Sequence, residues 1–317
     1  MPKPPSELIA VVPAQDLSLI DTWPAGCSGH SATDGLALVT GPRPKEPNLR
    51  GSADQIRRSV AEAALVRQRR LEALMPFPAL LPAHPGMPVP KNPTDFTRGN
   101  APVLRDALAR LAGRVQVQVV FAMNLQGAAA HFGLPPEAVP GHAQRLGDRI
   151  AQRLANTAED AIALPLAEGQ IANLVLQLRR ADVDALDEPL HEIDAIWTDG
   201  LRIRVLGPGP AVSFTRVRTD DITRKDVLAA AKCLGLDSAH PPQLEEIAAA
   251  RRAALRDLGR RGTGDPSGVA RAAERLRLCH TLGRAPAAFD RTPLAWLDRD
   301  GPSLAVSSDP ANLPQVA

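Results

Sequence analysis

Aromatic side chains are scarce in this sequence of 317 residues: tyrosine is absent, and Phe, Trp and Tyr together make up 3% of the chain. The hydrophobic fraction is nevertheless 44%, so we expect a core packed from Leu, Val, Ile and Ala. A charge of one sign is also lacking, because 37 Lys and Arg nearly balance 35 Asp and Glu. This near-neutral charge argues against a protein dedicated to nucleic-acid binding.

Cysteine is rare and long apolar runs are missing. Cys27, Cys233 and Cys279 match neither a paired disulfide framework nor a CxxC metal site. We therefore expect a reducing, cytoplasmic environment. The N-terminus has no apolar segment of signal-peptide length, and no run approaches the roughly 18–20 apolar residues that cross a bilayer. We expect neither export by that route nor a membrane-spanning segment.

The sequence offers little for catalysis or metal binding. Its seven histidines include no pair at i, i+4 spacing, and the adjacent Cys279 and His280 would point about 100° apart on a helix. Cys27 and His30 are a candidate nucleophile–base pair, but no third group is visible to orient the base, and a loop thiol is the alternative. We predict that the protein is not an enzyme and holds no cofactor or metal.

Hydrophobic periodicity and turn residues predict a coarse order of elements. Strands are predicted at residues 7–12, 36–40, 114–121, 171–178 and 201–206. Helices are predicted from Ser52 or Asp54 to about Met75, and at residues 102–111, 144–156, 182–197, 221–234, 242–258 and 268–282. The proline-rich residues 76–93 are predicted to be irregular.

The first predicted helix is amphipathic. Its apolar side carries Ile56, Val60, Ala63, Ala64 and Leu71, and its other side carries Arg57, Arg58, Arg67, Arg69 and Arg70. Because no aromatic residue accompanies these arginines, we interpret them as a solvated helix face or a partner surface rather than a nucleic-acid contact.

The order of strands and helices predicts the α+β class, with two ferredoxin-like α/β modules and a C-terminal helical subdomain; a single module split between the two parts is the alternative. Residues 171–206 are interpreted as one right-handed βαβ unit. The predicted domains are 1–125 (N-terminal α+β), 126–218 (second α+β, ferredoxin-like), 219–285 (helical) and 286–317, a flexible tail.

The most distinctive segment is Leu201–Phe214, with the sequence LRIRVLGPGPAVSF. Its apolar residues alternate with Arg202 and Arg204, which is typical of a half-buried strand. Pairing is predicted to end at Pro208 and Pro210, because proline cannot donate to a ladder. Prolines also lack the N–H donors of a phosphate-binding loop, so this segment specifies shape rather than chemistry.

Four segments can be compared with a known pattern. They are Leu8–Pro13 (LIAVVP), Leu71–Pro82 (LEALMPFPALLP), Leu108–Val119 (LARLAGRVQVQV) and Gly207–Phe214 (GPGPAVSF). In this order they resemble the gas vesicle GvpL/GvpF family, whose Gly-Pro-Trp-Pro-Pro-Tyr-Ser-Phe matches the last segment. The motif residues carried over are Gly207, Pro208, Pro210 and Phe214. Gly209 and Val212 replace the Trp and Tyr, and Ala83–Met87 stands where the family has Arg-Phe-Gly-Thr.

The resemblance covers about the first two-thirds of the chain and implies a gas vesicle accessory or assembly protein. It implies a cytoplasmic, gas vesicle-associated protein that is not an enzyme. The implied partners are the small hydrophobic shell protein GvpA and other Gvp accessory proteins, whereas neither nucleic acid nor a membrane is expected.

An assembly factor for a hydrophobic subunit needs exposed apolar surface or a free strand edge. The strands at 8–12 and 115–121 are candidates for such edges, so partner binding is predicted for Leu8, Ile9, Val11, Val117, Val119 and Phe121. Both segments can also be core strands, and the sequence favours this interpretation over an exposed edge.

Residues 234–255 resemble the helical hairpin of a J-domain. The His-Pro-Asp tripeptide that should follow is replaced by Arg-Asp-Leu-Gly-Arg-Arg at residues 256–261, so co-chaperone activity is not implied. The alternative function is a non-catalytic chaperone-like scaffold or adaptor with a degenerate J-like hairpin.

Overall fold

The computed structural model describes residues 6–44, 52–261 and 265–304. The chain divides into two compact units, each assembled from three chain segments. Unit 1 comprises Met1–Arg70, Ala83–Ala109 and Val217–Leu297, and unit 2 comprises Leu71–Pro82, Arg110–Arg216 and Asp298–Ala317. The limits of these units differ from those of the consecutive domains expected from the sequence, whose independent folding stays a prediction.

The described residues form the following strands and helices, each numbered in chain order. The strands are β1 (Ser6–Pro13), β2 (Ser28–Ser31), β3 (Leu36–Pro42), β4 (Leu81–Pro82), β5 (Arg114–Met123), β6 (Asp160–Ala163), β7 (Gln170–Arg179), β8 (Leu201–Gly209), β9 (Arg216–Thr223) and β10 (Arg291–Asp298). The helices are α1 (Ala53–Glu72), α2 (Pro93–Leu111), α3 (Leu125–Phe132), α4 (Val139–Ala155), α5 (Asp187–Asp194), α6 (Arg224–Leu234), α7 (Leu244–Arg261) and α8 (Pro266–Thr281). The mixed α+β class is confirmed.

Unit 2 is built on a four-stranded sheet in the order β6-β7-β5-β8, in which all neighbouring strands are antiparallel. β5 alternates strictly between buried and half-buried residues, as its sequence predicts. Strands and the helices α4 and α5 follow the order strand–helix–strand–strand–helix–strand. The connection β7–α5–β8 therefore joins two strands that run parallel to each other on either side of β5.

Helix α4 covers one face of this sheet. Leu146, Ile150 and Leu154 recur every fourth residue, so they lie on one side of the helix and join a buried cluster with β5 and β7. Gly147 permits a close approach, because a Cβ at this position would lie 2.0 Å from the carbonyl oxygen of Ile171 in β7. Glycine is therefore required where α4 crosses β7.

Unit 1 contains antiparallel strands in the order β2-β3-β1 and a two-stranded ladder of β9 and β10. Helices α6, α7 and α8 enclose an apolar cluster that includes Val227, Ile247 and Leu276. Helix α6 begins at a capping box: Oγ1 of Thr223 accepts from the Asp226 N–H at 3.4 Å, and Oδ2 of Asp226 accepts from the Thr223 N–H at 2.9 Å.

The element order expected of a ferredoxin-like N-terminal module is not found in unit 1. Within residues 6–44, β1, β2 and β3 follow one another with only a 3-10 helix, Ala14–Leu19, between β1 and β2. β1 and β3 are joined without an α-helix and pair directly with each other. The prediction failed here because the Pro- and Gly-containing residues between two apolar strands do not reveal which strands pair.

The start of α1 agrees with one of the two predicted caps. Oγ of Ser52 accepts from the Gln55 N–H at 3.4 Å, and Oε1 of Gln55 accepts from the Ser52 N–H at 3.0 Å. This reciprocal pair satisfies two N–H groups at the helix start, so Ser52, rather than Asp54, is the N-cap.

Helix α2 begins earlier than predicted, at Pro93 instead of Pro102. Oδ1 of Asn92 accepts from the Asp95 N–H at 3.1 Å, and proline is well suited to the first helical position. Pro102 lies inside the helix, where it removes one backbone donor without ending the element. The predicted boundary was wrong because one internal proline was interpreted as a helix start.

Further elements differ from the prediction. The helix predicted at 182–197 is a 3-10 helix, Arg180–Leu186, followed by α5.

The predicted flexible tail contains β10, in which Leu294 and Ala295 are buried. The expectation of a tail is therefore wrong for these residues, and residues 305–317 lie outside the described part of the chain. A strand that pairs with a distant strand carries too little local signal to be recognised.

Candidate partner-binding surface

The residues predicted to bind a partner lie in the cores of the two units. Leu8, Ile9 and Val11 in β1 and Val119 and Phe121 in β5 are completely buried, and Val117 is almost so. β5 also has no free edge, because β7 and β8 pair with it on both sides. Burial favours the core-strand alternative; a partner contact through these residues stays a prediction and would require the strands to leave the cores.

Apolar surface is exposed instead along helix α1. Val60, Leu65 and Val66 are 46%, 55% and 41% exposed, and Leu71 is the only fully buried side chain of the helix. The apolar side predicted for this helix is therefore largely not a core face. The sequence contained a signal for this exposed apolar surface, because Leu65 and Val66 lie outside the predicted apolar side of the helix.

The predicted arginine face of α1 is divided. The Arg57 side chain is 82% exposed, whereas those of Arg67 and Arg70 are only 12% and 13% exposed and lie 3.8 and 3.6 Å from a carboxylate oxygen of the buried Glu7. Arg70 also donates to the carbonyl of Pro42 at 2.7 Å. Two of the five arginines thus hold α1 onto β1 within unit 1 and are not available to a partner.

The charge environment of Glu7 combines opposing effects. Burial raises the pKa of this carboxyl, while the guanidinium groups of Arg67 and Arg70 and the Gly86 N–H, which donates to Glu7 at 3.2 Å, oppose the rise. The net pKa lies above the ordinary value. This cluster is a structural contact of unit 1.

The family-motif turn stands at the end of β8, in unit 2. β8 continues through Pro208 to Gly209, past the predicted end at residue 206, and the Gly207–Pro208 bond is cis. Gly207 has φ +117°, and a Cβ there would lie 2.8 Å from the carbonyl oxygen of Gln116. The Gln116 side chain accepts from the Ser213 N–H at 2.9 Å. The backbone therefore requires glycine at this motif position.

The remaining motif residues anchor the turn. Pro210 and Phe214 are buried, whereas Pro208 is exposed. The guanidinium carbon of Arg299 lies 5.9 Å from the centre of the Phe214 ring, and Arg299 pairs with Asp160 at 3.2 Å. Burial and this cation–aromatic contact together hold the Phe214 side chain in place at the end of the motif.

The sequence predicts β8 as a half-buried strand, but it does not show that the outer edge of this strand is free. β8 is the last strand of the unit 2 sheet, and five consecutive residues, 204–208, are exposed. Arg202 is exposed as well. The arginines at alternate positions of this apolar strand indicate an edge position, because charged residues are typical of strands at sheet edges.

The cysteine and histidine side chains considered as candidates for catalysis or metal binding are buried or bonded to other groups. Cys27 and Cys279 are buried, and burial raises the pKa of both thiols, that of Cys279 to about 12. The His30 ring bonds to the Ser28 hydroxyl at 2.9 Å. Over residues 6–44, 52–261 and 265–304, no group of three His, Cys, Asp or Glu side chains is arranged to hold a metal ion.

The J-like segment also differs from its pattern. Helix α7 continues from Leu244 to Arg261 without interruption, so the place of the missing His-Pro-Asp loop is helical. The resemblance to a J-domain hairpin therefore does not extend to its functional loop. In the described part of the chain, every helix is too short or too polar to cross a bilayer.

These features define a mixed α+β protein with an exposed strand edge. No protein-family model and no curated protein matches the chain. The crystal structure of the gas vesicle protein GvpF from Anabaena sp. PCC7120 is similar, with a TM-score of 0.48 and 19% identity over 66% of this chain and 94% of that chain. GvpF from Microcystis aeruginosa has a TM-score of 0.47 and 18% identity over 66% of this chain and 98% of that chain.

Proposed function

We propose that this protein is a non-catalytic accessory protein of gas vesicle formation that binds the shell protein GvpA. The observation that carries the proposal is the Gly207–Phe214 segment, whose sequence resembles the GvpL/GvpF motif. The structural requirements of the turn support this resemblance, since Gly207 needs its positive φ and Phe214 is buried. A match to the GvpL/GvpF motif at residues with a backbone or packing role is more specific than a similarity in amino-acid composition.

Unit 2 is proposed to be a ferredoxin-like module. The order of its elements, strand–helix–strand–strand–helix–strand, and the sheet order β6-β7-β5-β8 support this assignment. The proposal concerns one module, because unit 1 has a different order of elements.

The proposed client contact uses the exposed apolar surface of unit 1. Val60, Leu65 and Val66 on α1 supply apolar side chains that a hydrophobic shell subunit can cover. Such a contact would limit aggregation of GvpA before it joins the vesicle. The protein is accordingly proposed to act in the cytoplasm, on gas vesicles, together with other Gvp proteins.

The test is co-expression of the full chain, carrying an affinity tag, with GvpA. We expect GvpA to co-purify and its soluble fraction to rise. Leu65→Glu should abolish most of this co-purification, whereas Leu125→Glu, at a similarly exposed position at the start of α3, should retain it. Deletion of the gene in its native host should abolish or reduce gas vesicles seen by phase-contrast microscopy.

Two results would refute the function. One is a deletion strain with normal vesicles, and the other is failure of the unaltered chain to retain GvpA. Equal losses for Leu65→Glu and Leu125→Glu would instead refute the proposed contact surface, because a charge on any exposed leucine would then be sufficient.

A further inference from the structure

The outer edge of β8 in unit 2 has unsatisfied pairing capacity. In an antiparallel pair, every second residue of an edge strand directs its N–H and C=O groups away from its neighbour. β5 pairs with one side of β8, and among the described residues no other strand pairs with β8. The backbone of this edge is therefore open to a further strand.

The side chains along this edge form a defined pattern. Arg202, Arg204 and Leu206 are paired with Ala122, Val120 and Gln118 of β5, on the sheet face opposite the buried residues. All three are exposed, and Leu206 has 38% of its surface accessible. The face therefore presents two cations and one apolar side chain at alternate positions.

Within the described part of the chain, no counter-charge is paired with the two guanidinium groups. Neither Arg202 nor Arg204 forms an ion pair with any carboxylate of the described residues, in contrast to Arg114 and Arg179, which both bind Glu159. On the same face of β5 and β7, Gln116, Gln118, Val120, Ala122, Asn173, Val175 and Gln177 are uncharged. The charged side chains on that face of these two strands are Arg114 and Arg179, which are themselves cations and stand at one end of the strands. Nothing on the adjoining strands neutralises the edge.

This charge pattern selects among possible occupants. Two β8 strands from two copies of the chain would bring arginines next to arginines, and like charges on paired strands are destabilising. An acidic strand would instead place carboxylates beside Arg202 and Arg204. Two arginines at alternate positions thus disfavour pairing with a second copy of the chain and favour an acidic partner strand.

We propose that the outer edge of β8 binds an extended acidic segment of a partner protein, which is added to the unit 2 sheet as a fifth strand. The segment carries two acidic residues separated by one residue, which pair with Arg202 and Arg204, and an apolar residue two positions further along, which covers Leu206. Backbone hydrogen bonds supply affinity, and the side-chain pattern supplies specificity. The exposed Pro208 ends the binding edge, because it has no N–H to donate.

The experiment uses the full chain and a fluorescent synthetic peptide of about ten residues, with the acidic and apolar residues in the stated pattern and Thr or Val elsewhere. Fluorescence anisotropy should detect binding that weakens with added salt. The double variant R202E/R204E should weaken binding by about tenfold or more. The matched control Arg145→Glu, an exposed position on α4 of the same unit, should change it less than about twofold.

Strand addition is distinguished from simple charge attraction by two measurements. Peptides N-methylated on their odd or on their even residues lose the N–H groups of one edge only. We expect one of the two to fail and the other to bind. Bound peptide should also slow hydrogen exchange in β8 residues 202–206. As a control for folding, the melting temperatures of the R202E/R204E and Arg145→Glu variants without peptide should be close to that of the unaltered chain.

Several outcomes would overturn the proposal. These are an absence of binding, equal losses for R202E/R204E and Arg145→Glu, equal binding of both N-methylated peptides, or slowed exchange in β8 that depends on protein concentration without peptide. The last would identify a second copy of the chain as the occupant. The inference does not depend on a role in gas vesicle formation, so that its failure leaves the GvpA experiment unaffected.

Discussion

Replacement of Gly147 by alanine tests the close approach of α4 to β7 in unit 2. The added Cβ would lie 2.0 Å from the Ile171 carbonyl oxygen, whereas ordinary van der Waals contacts begin at 3.4 Å. Helix and strand must therefore separate by about 1.4 Å. Overpacking of this kind costs about 1–3 kcal/mol and occasionally more. Because backbone cannot rotate away as a flexible side chain does, we place the cost at the upper end or above it.

A second effect has the opposite sign. Alanine is favoured over glycine inside a helix by about 1 kcal/mol. The net loss in the free energy of unfolding is then about 2 kcal/mol, which lowers the urea midpoint of unit 2 by roughly 1–2 M. The matched control is Gly259→Ala in α7, where a Cβ would meet nothing within 4 Å, so only the favourable effect of about 1 kcal/mol remains.

Hydrogen exchange measured by mass spectrometry at increasing urea concentrations reports α4 and β7 separately from α7, which matters because the two units need not unfold together. We expect earlier exposure of α4 and β7 in Gly147→Ala and later exposure of α7 in Gly259→Ala. A stability of Gly147→Ala equal to or above that of the unaltered chain would refute the close approach of helix to strand.

Three further predictions follow from buried or paired groups. Asn100→Ala should lower the free energy of unfolding by about 2–4 kcal/mol in urea titrations, because the Asn100 side chain bonds to backbone groups of β10 that would be left buried and unpaired. Arg179 and Arg114 lower the pKa of Glu159 below its ordinary value of 4.5. Glu159→Gln should therefore lower the free energy of unfolding by about 0.5–1 kcal/mol at pH 7 and by progressively less as the pH falls below 4.5. The control Glu168→Gln, in an exposed loop, should change the free energy of unfolding at pH 7 by less than about 0.5 kcal/mol. The exposed Cys233 should react with a thiol reagent in the native protein, whereas the buried Cys279, with a pKa of about 12, should react only on unfolding; rapid native labelling of Cys279 would contradict its burial.

The sequence determined the features that depend on neighbouring residues. The alternation of β5 and the recurrence of Leu146, Ile150 and Leu154 in α4 are local periodicities, and the structure has both elements. Helix α4 begins at Val139, five residues before the predicted start at residue 144. The cap of α1 at Ser52 is also written in adjacent residues. The Asn92-Pro93 signal for the start of α2 is equally local, whereas Pro102, the predicted start, lies inside the helix.

Only the tertiary structure decided which apolar strands are interior and which edge is free. β5 and β8 are both apolar and alternating, yet β5 is paired on both sides and β8 on one. Arg67 and Arg70 resemble the other arginines of α1 in sequence, but they face Glu7, about sixty positions away in the chain. Strand pairing and buried ion pairs join residues that are distant in the chain, so local periodicity carries no information about them.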